Sequence, residues 1–309
     1  MRKRNLGQSG LNVSTLCLGG NVFGWTADEA TSHRILDAYT DAGLNFIDTA
    51  DVYSIWAPGN KGGESETVIG NWFKKSRKRE RVVLATKVGY NSNLKRSTIL
   101  QAVEDSLRRL QTNYIDLYWA HKDDPETPLE ETLETFAQLI KVGKVRAIGA
   151  SNFSGERLRL ALELSKSGLP RYEALQPNYN MVDRTDYEQN LEPVMKEFGI
   201  GSPPYFSRAK GFLTGKYRGE ADLGQSPRGQ GVKEYLNERG YRILAALDEV
   251  AAGHKANPAR VALAWLIARP SVTAPIASAT KTSQLEDLIE STKMKLTSDE
   301  IARLDKASA

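Results

Sequence analysis

The chain has 309 residues, 40% of them hydrophobic and 26% charged, enough to bury a sizeable core in one large or two ordinary domains. A formal net charge of +4 mildly favours anionic small molecules and falls short of the basic stripe of a nucleic-acid binder, while the one cysteine, Cys17, excludes an internal disulfide framework or cysteine metal site. The basic start MRKRNLG runs into GQSGLNV rather than an unbroken apolar stretch, so the expectation is a cytoplasmic protein without signal peptide, spanning helix or membrane partner.

Arg4 to Val13 alternates around Gly7 and Gly10, which predicts a β-hairpin ahead of a first core strand at Thr15–Leu18. Cys17 reads as a small core residue of that strand. Gly19, Gly20 and Gly24 sit at relative positions one, two and six. A dinucleotide fingerprint needs one, three and six, so a tight turn with close backbone approach is the better reading. Further strands are predicted at Leu44–Asp48, Val82–Lys87, Ile115–His121, Val145–Ser151, Ala174–Gln176, Gly201–Tyr205 and Val272–Ile276. Between them lie helical stretches with apolar residues at i, i+3, i+4 spacing. One starts near Ser97 with Ile99, Ala102, Val103, Leu107 and Leu110 on one face, and another near Pro128 with Leu129, Leu133, Phe136 and Ile140. The basic run Lys74 to Arg81 reads as a solvated helix end.

Regular alternation over the whole chain predicts an α/β fold, a closed (β/α)8 TIM barrel forming one domain over residues 1–309. One interval breaks the rhythm: after the seventh strand, GFLTGKYRGEADLGQSPRGQG delays the next helix until about Glu234, and a long loop of this composition reads as a flap over a ligand. Near the end, Thr297 and Glu300 fit a capping box for a last helix.

The strand ends carry chemistry. Asp48 closes one apolar run and Tyr53 follows five residues later; VVLATK ends on Lys87, IDLYWAH on His121, and RAIGASN on Ser151 and Asn152. In a barrel, consecutive strand ends are neighbours around one mouth. A lysine ammonium beside the phenol favours the phenolate and is expected to lower its pKa, a carboxylate holds the lysine charged, and a histidine orients a carbonyl oxygen. This set protonates an oxygen and stabilises developing negative charge, without an evident nucleophile, and needs a hydride from elsewhere.

With the segments FIDTADVYS, ESETVIG, VVLATKVG, IDLYWAHKDD, GKVRAIGASNF, LQPNYNMVDR, PYFSRAKGFLTGKYRG and APIASATKTSQLED in this order, the chain resembles the aldo-keto reductases over nearly its whole length. It is also similar to the potassium-channel β-subunits. The resemblance implies the eight-stranded barrel and NADPH-dependent reduction of aldehydes and ketones, with Tyr53 as general acid, Lys87 and Asp48 as the pair that tunes it, and His121 orienting the carbonyl. It further implies that Ser151, Asn152 and Gln176 hydrogen-bond the nicotinamide carboxamide and that Tyr205 stacks on the ring. The loop through Gly211, Leu213, Gly215 and Lys216 would cover the pyrophosphate, Phe206, Ser207 and Arg208 ahead of it are further cofactor-binding candidates, and Ser278, Thr280, Lys281 and Gln284 would hold the adenosine end, with Lys281 the candidate for the 2′-phosphate. Ser54 stands where glycine is usual, and Phe206, Arg208 and Lys210 replace smaller or neutral groups. The two cations of that segment either strengthen pyrophosphate binding or point to solvent.

Trp25, Trp56 and Tyr90 are placed to line a pocket for a small carbonyl substrate, whereas Trp119, inside its strand, reads as structural. His33, His121 and His254 show no metal spacing, so no metal is expected and a barrel hydrolase is disfavoured. The rival from another class is an NADP(H)-binding regulatory or redox-sensing protein with little turnover.

Overall fold

The computed structural model describes residues 2–309. The hairpin forms from β1 (Lys3–Asn5) and β2 (Asn12–Ser14), with Arg4 opposite Val13. A parallel sheet follows, built from β3 (Cys17–Gly19), β4 (Phe46–Asp48), β5 (Val83–Val88), β6 (Ile115–Ala120), β7 (Val145–Ser151) and β8 (Tyr172–Gln176), each paired with the next. The last strand, β9 (Ile276–Ala277), returns to pair with β3.

The gap between β8 and β9 is filled by residues 201–205, the segment predicted as the seventh barrel strand. It makes no regular strand, only isolated bridges from Ala174 to Gly201 and from Asn178 to Tyr205. The physical reason is Pro203 and Pro204, which have no amide hydrogen to give to a ladder. The other backbone groups still close the ring: Leu175 N–H donates to Gly201 O at 2.9 Å, Tyr205 N–H to Pro177 O at 2.9 Å, Thr273 N–H to Ser202 O at 2.7 Å and Ile276 N–H to Pro204 O at 2.9 Å. The result is an α/β barrel with the hairpin across one end.

Around it lie α1 (Glu29–Asp41), α2 (Glu64–Ser76), α3 (Arg96–Leu110), α4 (Leu129–Lys141), α5 (Gly155–Leu164), α6 (Glu192–Phe198), α7 (Glu238–Gly253), α8 (Pro258–Ala268), α9 (Thr282–Ser291) and α10 (Ser298–Ser308). Side-chain caps define several starts: the Asp28 carboxylate accepts from Thr31 N–H, and Thr297 and Glu300 form the expected capping box. The predicted faces of α3 and α4 are buried at Ile99, Val103, Leu107, Leu110, Leu129, Leu133 and Phe136.

Three expectations need correction. Val145–Ser151 keeps its expected bounds, but other strand bounds shift by up to four residues: the first strand is Cys17–Gly19, not Thr15–Leu18, and the last is Ile276–Ala277, not Val272–Ile276. The long insertion is a strap of three short 3-10 turns, Ala209–Thr214, Glu220–Gln225 and Gly229–Tyr235, and helix resumes at Glu238. The basic run after α2 is not simply solvated. Lys78 pairs with Asp37 and Asp41 at 2.9 Å each, and Arg79 reaches the buried Asp116 at 2.8 Å, because an unpaired carboxylate under the barrel would be costly.

Strand alternation fixes what points inward. The barrel interior holds Cys17, Phe46, Ala85, Leu117, Trp119, Ala147 and Ala174, and Leu6, Leu11 and Val13 of the hairpin close its lower end. Further along the same inward rows come Asp48, Lys87, His121 and Gln176, each two residues on, and Ser151, four residues beyond Ala147. The same periodicity that builds the core therefore delivers polar groups to the upper rim.

Candidate active site

Lys87 is the centre of the rim. Its side chain is fully buried, and its Nζ donates to Asp48 Oδ2 at 2.5 Å, to Thr49 O at 2.7 Å and to the Tyr53 hydroxyl at 2.8 Å. All three ammonium hydrogens are thereby directed. Asp48, equally buried, also accepts at Oδ1 from Gln176 Nε2 at 3.0 Å and from Trp119 Nε1 at 3.1 Å. Three charge-assisted contacts define one orientation of the carboxylate.

Trp119 is therefore more than packing. It lies in the same inward row as Leu117 and His121, and that alternation is the signal that finds it. Room for its ring comes from Gly149 in register on the next strand: a Cβ there would sit 2.3 Å from Trp119 Cζ3.

The phenol of Tyr53 does not respond as expected. Its pKa is driven well above the ordinary value, first by burial and then by the negative charge of Asp48. The neighbouring ammonium does not reverse this, because its charge is already matched by Asp48. Tyr53 is thus held as the neutral phenol. With its oxygen accepting from Lys87 and only a long 3.5 Å contact to Asp48 Oδ2, its own hydrogen is available to another acceptor. Burial also lowers the pKa of Lys87, against the opposing pull of Asp48.

His121 is buried one residue beyond β6, its ring 6.0 Å from that of Tyr53 and 4.7 Å from that of Tyr90. Burial, with help from Lys87, pushes its pKa well below the usual value, so it is a neutral imidazole. Its Nδ1 is buried and has no hydrogen-bond partner among the described residues. Above the rim, Trp25 meets Trp56 edge-on at 5.7 Å and Trp56 lies 5.9 Å from Tyr53; Trp56 and Tyr90 are about half exposed. Of the three predicted pocket aromatics, Trp56 meets the phenol itself, Trp25 packs on Trp56, and Tyr90 packs on His121.

Ser54 takes the left-handed conformation at φ 73°, a region that favours glycine. Its buried Oγ donates to Phe23 O at 2.7 Å, which offsets the strain and ties the Tyr53 loop to the segment after β3.

Several of the residues expected at a dinucleotide have partners that were not foreseen. Gln176 uses its amide on Asp48. Asn152, at φ 55°, donates to His121 O at 2.8 Å and accepts from the Tyr205 hydroxyl at 2.8 Å, while Ser151 Oγ donates to Gln176 O at 3.0 Å. Phe206 is exposed at φ 51° and meets Tyr205 edge-on at 5.0 Å; Ser207 is buried and donates to Pro204 O. Leu213 is fully buried core, and Gly211 and Gly215 are left-handed turns, at φ 106° and 77°. Lys216 is exposed against the Tyr217 ring. Lys210 pairs with Glu234 at 2.8 Å, whereas Arg208 turns inward and donates to Ser278 O at 2.6 Å. Ser278 donates to Asn21, Thr280 donates to Gln284 Oε1 at 2.8 Å and 3.1 Å, and Lys281 is exposed without an ion pair among the described residues. Asn21, Trp119 and Arg228 are the site neighbours that reading the sequence missed; Arg228 lies over the Trp25 ring at 5.4 Å.

This donor set fits a nicotinamide dinucleotide: amides and hydroxyls at the strand ends, an aromatic ring at Tyr205, and cationic side chains at and beside the strap. Among the described residues, no group of three or more His, Cys, Asp or Glu is placed to hold a metal ion, and no helix is long and apolar enough to cross a membrane.

The family model of the aldo/keto reductases matches residues 15–309. An uncharacterized oxidoreductase of Bacillus subtilis is 35% identical over 305 residues, covering 94% of this chain and 91% of that protein. An aldo-keto reductase of the same bacterium is 35% identical over 94% of this chain and 87% of its own length. A Schizosaccharomyces pombe protein named as a voltage-gated potassium channel subunit beta is 30% identical over 97% of this chain and 88% of its own.

Proposed function

The chain belongs to the aldo/keto reductase family, and from that premise we propose that it reduces aldehydes and ketones to alcohols with NADPH, Tyr53 donating the proton. The carrying observation is the junction at Lys87 Nζ, which holds Asp48 at 2.5 Å and the Tyr53 oxygen at 2.8 Å beside a neutral His121. Relatives named as oxidoreductases support carbonyl reduction in general.

When bound, the reduced nicotinamide supplies hydride to the carbonyl carbon. The chain's own residues handle the oxygen. Tyr53, kept protonated by burial, gives its hydrogen to the developing alkoxide, and the phenolate left behind faces the Lys87 ammonium. His121, uncharged, orients the carbonyl oxygen by a hydrogen bond without competing as an acid. Asp48 keeps Lys87 in place, and Gln176 and Trp119 keep Asp48 in place. Trp25, Trp56 and Tyr90 give the carbonyl substrate apolar walls.

The test is NADPH oxidation with a panel of aldehydes, run for the wild type and Tyr53→Phe. Loss of the general acid is expected to lower kcat by about 10²–10⁴-fold while NADPH affinity stays close to wild type. A wild type that binds NADPH yet oxidises it no faster than Tyr53→Phe with every carbonyl would refute the reductase reading and leave the cofactor-sensing alternative. If neither nicotinamide cofactor binds, both readings fall.

A further inference from the structure

Arg228 is the cation at the aromatic wall of the site. Its guanidinium carbon lies 5.4 Å from the centre of the Trp25 ring, Trp25 meets Trp56 at 5.7 Å, and Trp56 lies 5.9 Å from Tyr53. The residue is partly buried, yet among the described residues its side chain makes no hydrogen bond and no ion pair. The other arginines of the strap and of the start of α7 are engaged: Arg208 donates to Ser278 O, Arg218 forks onto Asp248 at 2.7 Å, and Arg239 and Arg242 donate to the carbonyls of Ser308 and Ala307. Arg228 keeps all its side-chain donors.

The strap fixes the backbone that carries this side chain. Gly231 N–H donates to Arg228 O at 3.0 Å, Arg228 N–H donates to Ser226 Oγ at 3.4 Å, and Ser226 Oγ is itself tied to the hydroxyl of buried Tyr217 at 2.7 Å. Gly229 lies so close to the preceding turn that a Cβ would sit 1.8 Å from Leu223 O. A contact with one ring face offsets only part of the cost of taking a guanidinium out of water and leaves its N–H donors unmatched. Burial lowers its pKa, and Tyr53 is the first of the groups that oppose this. The groups deeper in the site are already balanced: Asp48 matches Lys87, while Tyr53 and His121 are neutral. One positive charge is left over, at the wall that faces the carbonyl substrate.

We propose that Arg228 binds an anionic group of the substrate, so that the preferred substrates are aldehydes with an aromatic body and a carboxylate at the end away from the carbonyl. The proposal rests on the reductase reading above and names the substrate class for it. Tyr53 and His121 take the carbonyl oxygen, Trp25 and Trp56 flank the apolar body, and the guanidinium fork takes the carboxylate, whose two oxygens it matches in one plane. A single guanidinium balances a single negative charge, which favours a carboxylate over a phosphate group.

The experiment compares para-carboxybenzaldehyde with its methyl ester, the same body without the charge, in NADPH-oxidation assays of the full-length wild type, Arg228→Met and Arg228→Lys, with NADPH affinity followed by tryptophan fluorescence. The wild type is expected to prefer the carboxylate, and its KM for that aldehyde alone to rise with salt. Loss of a charged hydrogen bond predicts kcat/KM for the carboxylate lowered about 10- to 100-fold in Arg228→Met, through KM rather than kcat, while that for the ester changes by less than about threefold. Arg228→Lys restores part of the preference, since it keeps the charge and loses the fork. NADPH affinity stays within about twofold of wild type in both variants. The inference is overturned if the wild type reduces the ester as efficiently as the carboxylate, if folded Arg228→Met loses both aldehydes equally, which would leave Arg228 a brace for Trp25, or if NADPH affinity falls while the preference for the carboxylate holds. A wild type that reduces neutral aldehydes but not the carboxylate overturns this inference alone; one that oxidises NADPH with no carbonyl refutes the reductase reading beneath it.

Discussion

The Lys87–Asp48 pair makes a sharp energetic prediction. Both side chains are essentially without solvent contact and their charged atoms are 2.5 Å apart. Lys87→Met leaves Asp48 buried with only Gln176 and Trp119 as donors, and Asp48→Asn leaves Lys87 facing Thr49 O and the phenol without a counter-charge. Each change leaves one buried charge unbalanced, at a cost of about 3–5 kcal/mol. The double variant contains neither charge. It is expected to cost less than the two single variants summed, with a coupling of at least about 2 kcal/mol. Urea unfolding of the four proteins at pH 7.5, followed by tryptophan fluorescence and circular dichroism, measures it, provided the dependence on denaturant is the same in all four. Carbonyl reduction is expected to be lost in all three variants, so stability rather than activity separates them. Additivity to within about 0.5 kcal/mol would refute the reasoning, because it would mean that each ion is solvated or neutral in the folded protein.

Gly149→Ala is expected to cost about 1–3 kcal/mol, since its Cβ must displace the Trp119 ring. It should also lower kcat with little change in NADPH affinity; a variant as active and as stable as wild type would show that the ring shifts freely. Asp51, two residues before Tyr53 in the same loop, has its carboxyl raised to about 7 by burial and by Glu66. Its proton therefore favours the folded state fully below the unfolded value near 4, a contribution lost as pH rises through 7. Asp51→Asn should gain about 1–2 kcal/mol relative to wild type between pH 4.5 and pH 8, a discounted share of the full shift, and a flat difference across that range would refute it. His121 works in the opposite sense: its folded pKa is depressed, so its contribution is present above about 6.5 and lost as pH falls toward the folded value. His121→Gln should flatten that acid-side loss in a thermal-melt series, and an unchanged slope would count against the burial argument.

How far the sequence carried depends on which physical rule each residue obeys. Asp48, Lys87, His121, Ser151 and Gln176 were legible because inward-facing rows of strands have period two and barrel rims collect strand ends. The same rule contained Trp119 as the row-mate of Leu117 and His121, and its indole N–H on Asp48 was hidden only because an apolar-looking ring inside a strand reads as core. Residues 201–205 were legible in place but not in form. Pro203 and Pro204 cannot donate to a ladder, and closure instead uses the amides of Tyr205, Thr273 and Ile276. Arg228 was not legible at all, because its partner Trp25 is far away in sequence and only the path of the strap brings the two together.

The direction of the Tyr53 shift follows from the same distinction between pairs and networks. Taken pairwise, phenol and ammonium predict a lowered pKa. In the folded chain the ammonium is spent on a carboxylate at 2.5 Å, so burial decides the direction and the proton stays on the phenol. A proton donor at neutral pH needs that state before the reaction and needs the ammonium only after its proton has left. The buried Asp48–Lys87–Tyr53 series meets both needs, because phenolate formation adds the negative charge that the ammonium is already placed, at 2.8 Å, to receive.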